Sequence, residues 1–335
     1  MGQISSTSRK INFWEIWDVF GMMAVFVALF ILCSFTIDGF LSAANMEGLT
    51  LAVSTIGIVA CTMLFCLASG DFDLSVGSVL ACSGVLSALV TVTTGSVVIG
   101  ALAGVCIGGL VGLFNGIVIA FFRINALITT LATMQIVRGL ALLFADGKSI
   151  FVPNPRFCAL GTGNIAGVPV PVLILVVFFI FFGLLLGRTV FGRNTLAIGG
   201  NKEAAHLAGI RVRFYKIMIF SMQGVVAGFA GVILASRMEI GDPKVGVSFE
   251  LQVISACVLG GVSLTGGVGS MIYVVSGVLI MGTVENAMNL TNVPTFWQYV
   301  VRGGILLTAV LFDQFRQNPG ALRNVLKSFK RKPQM

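Results

Sequence analysis

The feature that most limits what this chain can fold into is a series of apolar stretches, each about as long as a bilayer is thick. They run near 19–37, 48–69, 75–94, 96–121, 125–145, 170–187, 216–236, 250–264, 270–289 and 297–313. A hydrocarbon core roughly 30 Å thick is crossed by about 20 residues of helix. Lipid offers the backbone no hydrogen-bonding partner, so each stretch must satisfy its own N–H and C=O groups as a helix. The sequence therefore predicts an all-α polytopic membrane protein with about ten transmembrane helices. The eighth stretch is short and runs into Gly260-Gly261-Val262-Ser263-Leu264-Thr265-Gly266-Gly267, which reads as a broken or re-entrant segment. Only 10% of the residues are charged, against about 25% in soluble domains, which leaves no room for a large soluble domain. No small-residue cleavage site follows Val19 to Ile37, so that stretch reads as a retained first span and not a removed signal peptide.

Basic residues give the expected orientation. With the amino terminus inside, fifteen Lys and Arg fall on cytoplasmic segments: Arg9, Lys10, Arg123, six from Arg188 to Lys216, and Arg316, Arg323, Lys327, Lys330, Arg331 and Lys332. External loops receive Lys148, Arg156, Arg237 and Lys244. This asymmetry satisfies the positive-inside rule and the opposite orientation violates it, which places both termini in the cytoplasm. The same placement explains the net charge of +8 through the bilayer, without nucleic acid as a partner. The expected organisation is a cytoplasmic segment at 1–18, a transmembrane domain at 19–313 containing a cytoplasmic loop at 188–216, and a basic cytoplasmic tail at 314–335. Trp14, Trp17 and Trp297 flank the first and last spans and suit interfacial anchoring. Six cysteines (Cys33, Cys61, Cys66, Cys82, Cys106, Cys257) lie in apolar stretches and Cys158 stands alone in a loop. Without C-x-x-C spacing they support neither a disulfide framework nor a zinc site, and read as packing residues.

The loop Arg188–Lys216 carries six basic residues and one acid, Glu203. Its middle reads as a short capped helix. Asn201 can accept from the first free N–H groups, Glu203 lies near the positive end of the dipole, and Gly209 lets the chain turn out. Ala204, Leu207 and Ala208 share a face, giving a small apolar patch within a basic loop. Two ordered turns in a cytoplasmic loop point to presentation to a partner. His206, the only histidine, lies on this solvated helix without the partners that a metal site or catalytic base requires.

Charges within the apolar stretches need a different account. Arg138 and Arg302 lie well inside their segments, where an arginine costs about 2.5–3.5 kcal/mol on insertion scales, so each must face the interior or water and find a partner. Glu285, in Gly282-Thr283-Val284-Glu285-Asn286, is the nearest intramembrane carboxylate; Asp71 and Asp73 sit at a helix junction. Buried pairs that clamp helices together are favoured over direct contact with a solute. Asn115 can line a polar path or bond across helices. It adjoins Gly104, Gly108, Gly112 and Gly116, a ridge of every fourth residue that lets another helix approach closely. Gln135-Ile-Val-Arg138-Gly139 is echoed by Gln298-Tyr-Val-Val-Arg302-Gly303, and Leu67–Asp71 and Ala81-Cys82 have loose counterparts in Leu234–Ser236, Gly241-Asp242 and Ala256-Cys257. The echoed spans run in opposite directions, which predicts two inverted four-helix halves plus two extra helices, joined by the 188–216 loop.

The chain has no G-x-x-x-x-G-K-[ST], H-E-x-x-H or G-x-S-x-G motif, so it is not expected to be an enzyme or to hold a cofactor. Any energy for active transport must come from an ion gradient or a partner protein.

The stretch Gly192-Arg193-Asn194-Thr195-Leu196-Ala197-Ile198-Gly199-Gly200-Asn201-Lys202-Glu203-Ala204-Ala205-His206-Leu207-Ala208-Gly209-Ile210 resembles the coupling loop of permease subunits from bacterial monosaccharide ABC importers, the ribose, xylose, arabinose and galactose branch. The resemblance extends to Gly70–Gly77, Asn125–Met134 and Ala256–Leu264. Within the branch, Cys66–Asp73 and Gly282–Asn289 are most similar to L-arabinose permeases. The resemblance implies a cobalamin-importer-like architecture, a homodimer, two cytoplasmic ABC ATPase subunits and a periplasmic sugar-binding protein, in the bacterial inner membrane. It also implies that Arg193, Asn201, Lys202, Glu203, Ala204, Ala205, Leu207, Ala208, Gly209 and Arg211 couple to the ATPase. Asp71, Asp73, Asn115, Arg138, Glu285, Asn286 and Arg302 are then pathway or structural residues. A carrier working alone on an ion gradient is the rival, and would use Glu285 or Asp73 to bind the ion; a non-transporting scaffold is a third class.

Overall fold

The computed structural model describes residues 13–317, with side chains over 21–314. The expectations for Arg9, Lys10, the side chains of Trp14, Trp17 and Arg316, and the tail beyond Gln317 lie outside the described residues. In order, the elements are α1 (Phe13–Thr36), α2 (Ala43–Ala68), α3 (Val76–Thr94), α4 (Val97–Phe122), α5 (Ala126–Phe144), β1 (Ile150–Phe151), α6 (Pro155–Thr162), β2 (Asn164–Ile165), β3 (Val168–Pro169), α7 (Val170–Arg188), α8 (Val190–Gly200), α9 (Lys202–Leu207), α10 (Val212–Met238), β4 (Ile240–Gly241), α11 (Phe249–Leu259), α12 (Met271–Leu290) and α13 (Thr295–Gln317). Among the described residues eight helices are long and apolar enough to cross a membrane: α2, α3, α4, α5, α7, α10, α12 and α13. The Gly21–Thr36 part of α1 and α11 are apolar but shorter. The chain is thus a helical multi-pass membrane protein. Its strands are two-residue ladders, β1 antiparallel to β4 and β2 antiparallel to β3.

α2 is the central post. Apolar on every side, it is buried almost without a break from Ile56 to Ala68 and packs against α7, α10, α11 and α12. Its aromatic neighbours close over it, with Phe65 meeting Phe182 and Phe191 at 6.1 and 6.0 Å between ring centres.

The glycine ridge of α4 does what its spacing predicts. Gly104, Gly108, Gly112 and Gly116 are all buried and run along α10, whose own Gly224 and Gly228 meet them. A Cβ on Gly108 would stand 2.8 Å from the Gly228 Cα, and one on Gly116 2.8 Å from the Ile217 Cα. Backbone therefore touches backbone along four turns, the contact that small residues provide in lipid, where dispersion must replace the hydrophobic effect.

The broken element lies before α11 as well as after it. Gly241 abuts Ala88 of α3, whereas Gly246 abuts Gly77. The chain therefore descends along α3 by roughly 12 Å, from the level of Val85 to that of Gly77 at about 1.5 Å per residue, before α11 starts. A non-helical lead also precedes α3 at Gly70–Ser75. Both leads carry an aspartate that accepts from a backbone N–H two residues on, Asp73 from Ser75 and Asp242 from Lys244, each at 2.9 Å. The packing also recurs: α4 sits on α3 and α10, and α12 on α11 and α2; α5 sits on α3, and α13 on α11.

Candidate functional site

The segment between α7 and α10 is more structured than its polarity implies. It holds α8 as well as the expected short helix α9. Asn201 accepts from the N–H groups of Glu203 (3.0 Å) and Ala204 (2.9 Å), which ties down two of the free donors at the start of α9. Gly209 closes the helix at φ +85, and the Ile210 N–H returns to the Ala205 carbonyl at 3.0 Å. Ala204, Leu207 and Ala208 are exposed, Leu207 at 87%. Ala205 is different. It is 5% exposed and packs with Ile198 and Val212, with Ile210 and Tyr215 around them. It seats α9 on the protein and is not part of the outward face. Arg193, Lys202, Glu203, His206 and Arg211 surround that face and are exposed.

α8 anchors this unit to the bundle. The Asn194 amide donates to the Tyr215 hydroxyl at 2.7 Å, and Phe191 stacks on Tyr215 with centres 5.2 Å apart. At its far end, Gly199 and Gly200 press on the end of α2 and on the α11–α12 connection. A Cβ on Gly266 would lie 2.9 Å from the Cα atoms of both Gly199 and Gly70, and the Gly267 N–H donates to the Ala68 carbonyl at 2.9 Å. Any shift of α8 is therefore felt directly by α2 and by the segment leading into α12.

Beside this joint lies a buried ion pair. Asp71 and Lys216 are in direct contact, with side chains 13% and 6% exposed. They line a cavity of about 320 Å³ with Arg123 and Lys202. Burial, and then repulsion from Lys216, pushes the Lys202 ammonium below the ordinary lysine range. Deeper in, Asp73 accepts from the Ser75 hydroxyl at 2.6 Å; the Asn115 amide donates to that hydroxyl at 3.1 Å, and the Thr133 hydroxyl donates to Asn115 at 2.7 Å. These four residues come from the α3 lead, α4 and α5, and each is at most 4% exposed. Burial raises the Asp73 carboxyl to about 6, against the lowering effect of the Ser75 bonds.

The two intramembrane arginines are held differently. Arg302 pairs with Glu285 at 2.6 Å and donates to Gln298 at 3.3 Å. The Gln252 amide, with its oxygen turned toward the guanidinium, accepts at 3.1 Å. Beside them Asn286 exchanges two amide hydrogen bonds with Asn45, at 2.9 and 3.0 Å, which fixes α12 to the start of α2. Among the described residues Arg138 has no carboxylate in hydrogen-bonding contact. It donates to the carbonyl oxygens of Pro243 and Val245, at 2.6 and 2.7 Å, and so holds the turn-rich lead of α11 in place.

A family model described as the permease component of branched-chain amino acid transport systems matches residues 45–310. The chain belongs to this permease family. The permease is 59% identical over 306 residues to the L-arabinose transport system permease protein AraH of Escherichia coli K12, covering 91% of this chain and 93% of that protein. It is 54% identical over 305 residues to the L-arabinose ABC transporter permease protein AraH of Azospirillum brasilense, covering 91% and 90%. To the ribose import permease protein RbsC of Bacillus subtilis it is 39% identical over 314 residues, covering 93% and 98%. No solved structure matches. As a permease, the chain is a transport component and not an enzyme.

The permease brings the expected polar residues together as two groups: α9 with the Asp71–Asp73–Asn115 region, joined through the cavity that Lys202 and Asp71 share, and the Glu285–Asn286–Arg302 cluster. Arg138 belongs to neither of them. Lys216, counted from sequence as a loop cation, is buried. Its signal was present: with Ile219, Phe220, Gln223 and Ala227 it falls on the buried face of α10 at helical spacing. Glu250 was also passed over; its carboxylate lies beside Gly77, in the first turn of α11.

Proposed function

We propose that this permease carries L-arabinose across the bacterial inner membrane as the transmembrane subunit of an ATP-driven importer. The observation that carries this reading is the 59% and 54% identity, over nine-tenths of the chain, to two L-arabinose permeases, against 39% to a ribose permease. Ribose, xylose and galactose are accordingly not favoured. Two copies of the chain form the pathway, two cytoplasmic ATPase subunits drive it, and a periplasmic binding protein supplies most of the sugar specificity. The end bearing α8, α9 and Arg123 is cytoplasmic, as are both termini, which accords with the positive-inside rule. α1 and α11 complete a set of ten membrane helices, with α2–α5 and α10–α13 as inverted halves in a cobalamin-importer-like arrangement. The recurring packing and the paired aspartate leads support that division. The domain plan is a cytoplasmic 1–18, a permease domain at 19–313 with 188–216 as its coupling loop, and a basic tail at 314–335.

In this mechanism the ATPase grips the outward face of α9 through Ala204, Leu207 and Ala208, with Arg193, Lys202 and Arg211 at the rim. Asn201, Glu203 and Gly209 keep the helix formed, and Ala205 keeps it seated. Closure of the ATPases displaces α9 and α8 together, and the glycine joint passes the displacement to α2 and α12. Work is done because the ATPase binds α9 differently in its two states. A gradient-driven carrier fits less well, since Glu285 is engaged by Arg302 and Asp73 by Ser75. The test is uptake of radiolabelled L-arabinose in a bacterium deleted for its own arabinose permease. The wild-type chain is expected to restore uptake and Leu207→Asp to fail while reaching the membrane in equal amount. Normal uptake by Leu207→Asp would overturn the coupling role, and no uptake of arabinose by the wild type would overturn the substrate.

A further inference from the structure

The cavity beside the Asp71–Lys216 pair carries an excess of positive charge, of which the transport mechanism uses Lys202 alone. Its lining contains three cations, Arg123, Lys202 and Lys216, and a single carboxylate, Asp71, which is committed to Lys216. Among the described residues neither Arg123 nor Lys202 has an ion-pair partner. α5 starts at the same place: Asn125, Ala126 and Leu127 line the cavity, so the positive end of a 19-residue helix adds to the field there. The Lys202 ammonium, though its side chain is exposed, is held below the ordinary lysine range by partial desolvation and by repulsion from Lys216 and Arg123, against attraction from Asp71. Arg123 occupies the cavity rim at φ 56, a backbone conformation that glycine or asparagine adopts at less cost. The lining therefore combines a roomy concavity, two unpaired cations of different geometry and a helix amino terminus.

We propose that this cavity is an anion site that takes a phosphate group, from an anionic phospholipid of the adjacent leaflet or from free phosphate. Arg123 offers a planar fork to two of its oxygens and Lys202 a point charge to a third. Because Lys202 opens α9 while Arg123 ends α4 and Ala126 opens α5, a bound phosphate ties the α9 unit to the α4–α5 corner. Occupancy thus restrains the helix that meets the partner protein. The anion site stands independently of the transport assignment; its effect on coupling rests on the role proposed for α9.

The experiment uses the full-length chain purified in dodecyl maltoside. Native mass spectrometry measures retention of dioleoylphosphatidylglycerol against dioleoylphosphatidylcholine, and a thermal-shift titration with inorganic phosphate tests the free anion. Saturable retention of the anionic lipid, or saturable stabilisation by phosphate, is expected, and which arm responds identifies the source. Arg123→Gln and Lys202→Gln are each expected to weaken the response about tenfold or more. Arg123→Lys restores part of it, and Arg156→Gln in the opposite loop region leaves it unchanged. No saturable response to either probe, or a response unaltered in the Arg123→Gln, Lys202→Gln double variant, overturns the proposal. Loss of arabinose uptake with phosphate binding intact counts against the transport reading alone.

Discussion

Removing one partner of the Lys216–Asp71 pair leaves the other charge buried, and the two single removals are not equivalent. The side chains are 6% and 13% exposed, so a charge left alone recovers hydration only through the cavity that both residues line. Breaking a buried pair from one side costs about 3–5 kcal/mol. In Lys216→Met the Asp71 carboxylate still shares its cavity with Arg123 and Lys202, which compensate it in part, so the loss falls near the lower bound of about 3 kcal/mol. In Asp71→Asn, Lys216 keeps only those two cations for company, so repulsion adds to desolvation and the loss approaches the upper bound of about 5 kcal/mol. The Asp71→Asn, Lys216→Met double variant carries no buried charge of its own and is expected within about 1 kcal/mol of wild type. The assay is unfolding of the purified chain by SDS in mixed micelles, followed by circular dichroism, for all four members of the cycle. Additive single losses, or a Lys216→Met loss larger than that of Asp71→Asn, would refute the reasoning.

Three further outcomes follow from the same geometry. Gly108→Val and Gly112→Leu on the α4 seam are expected to abolish folded yield because their side chains meet α10 backbone, whereas Gly139→Ala and Gly303→Ala, with nothing within 4 Å of the new Cβ, leave yield unchanged; fluorescence-detected size exclusion decides. Ala205→Glu is expected to lower the melting temperature of the isolated chain by unseating α9, while Leu207→Asp leaves it unchanged, since one residue is buried and the other exposed. The Asp73 carboxyl binds its proton more tightly in the folded chain, up to about 6. Its burden on stability is therefore absent below about pH 4, grows as pH rises toward 6, and is complete above it. Asp73→Asn is expected to flatten the pH dependence of unfolding across that window and to be the more stable form at pH 7; an unchanged slope contradicts the assignment.

What the sequence made legible was whatever depends on spacing within one segment. The apolar lengths predicted the eight described helices long enough to cross a membrane, out of about ten expected; the four-residue glycine repeat predicted the α4 seam, and Asn201 with Gly209 predicted the ends of α9. Even the need of Arg302 for a partner was readable, because an unpaired guanidinium in lipid is too costly to keep and Glu285 is the nearest intramembrane acid. What stayed hidden depends on distant segments meeting. Asp71 and Lys216 are 145 positions apart. Arg138 is satisfied by carbonyls, which every residue carries and no sequence pattern marks. The inward face of α9 is set by Ile198 and Val212 on neighbouring helices, so a helical wheel of α9 alone could not tell that Ala205 anchors it. The turn-rich lead into α11 was obscured because Asp242 and Pro243 read as an ordinary external loop.

The central claim, that this chain moves sugar with work received at α9, is tested most directly by reconstitution in proteoliposomes with its ATPase and binding protein. The account predicts L-arabinose uptake that requires internal ATP and both partners, and that falls to background with Leu207→Asp although the complex still assembles. Uptake by the chain alone, driven by a proton or sodium gradient and indifferent to ATP, would contradict it.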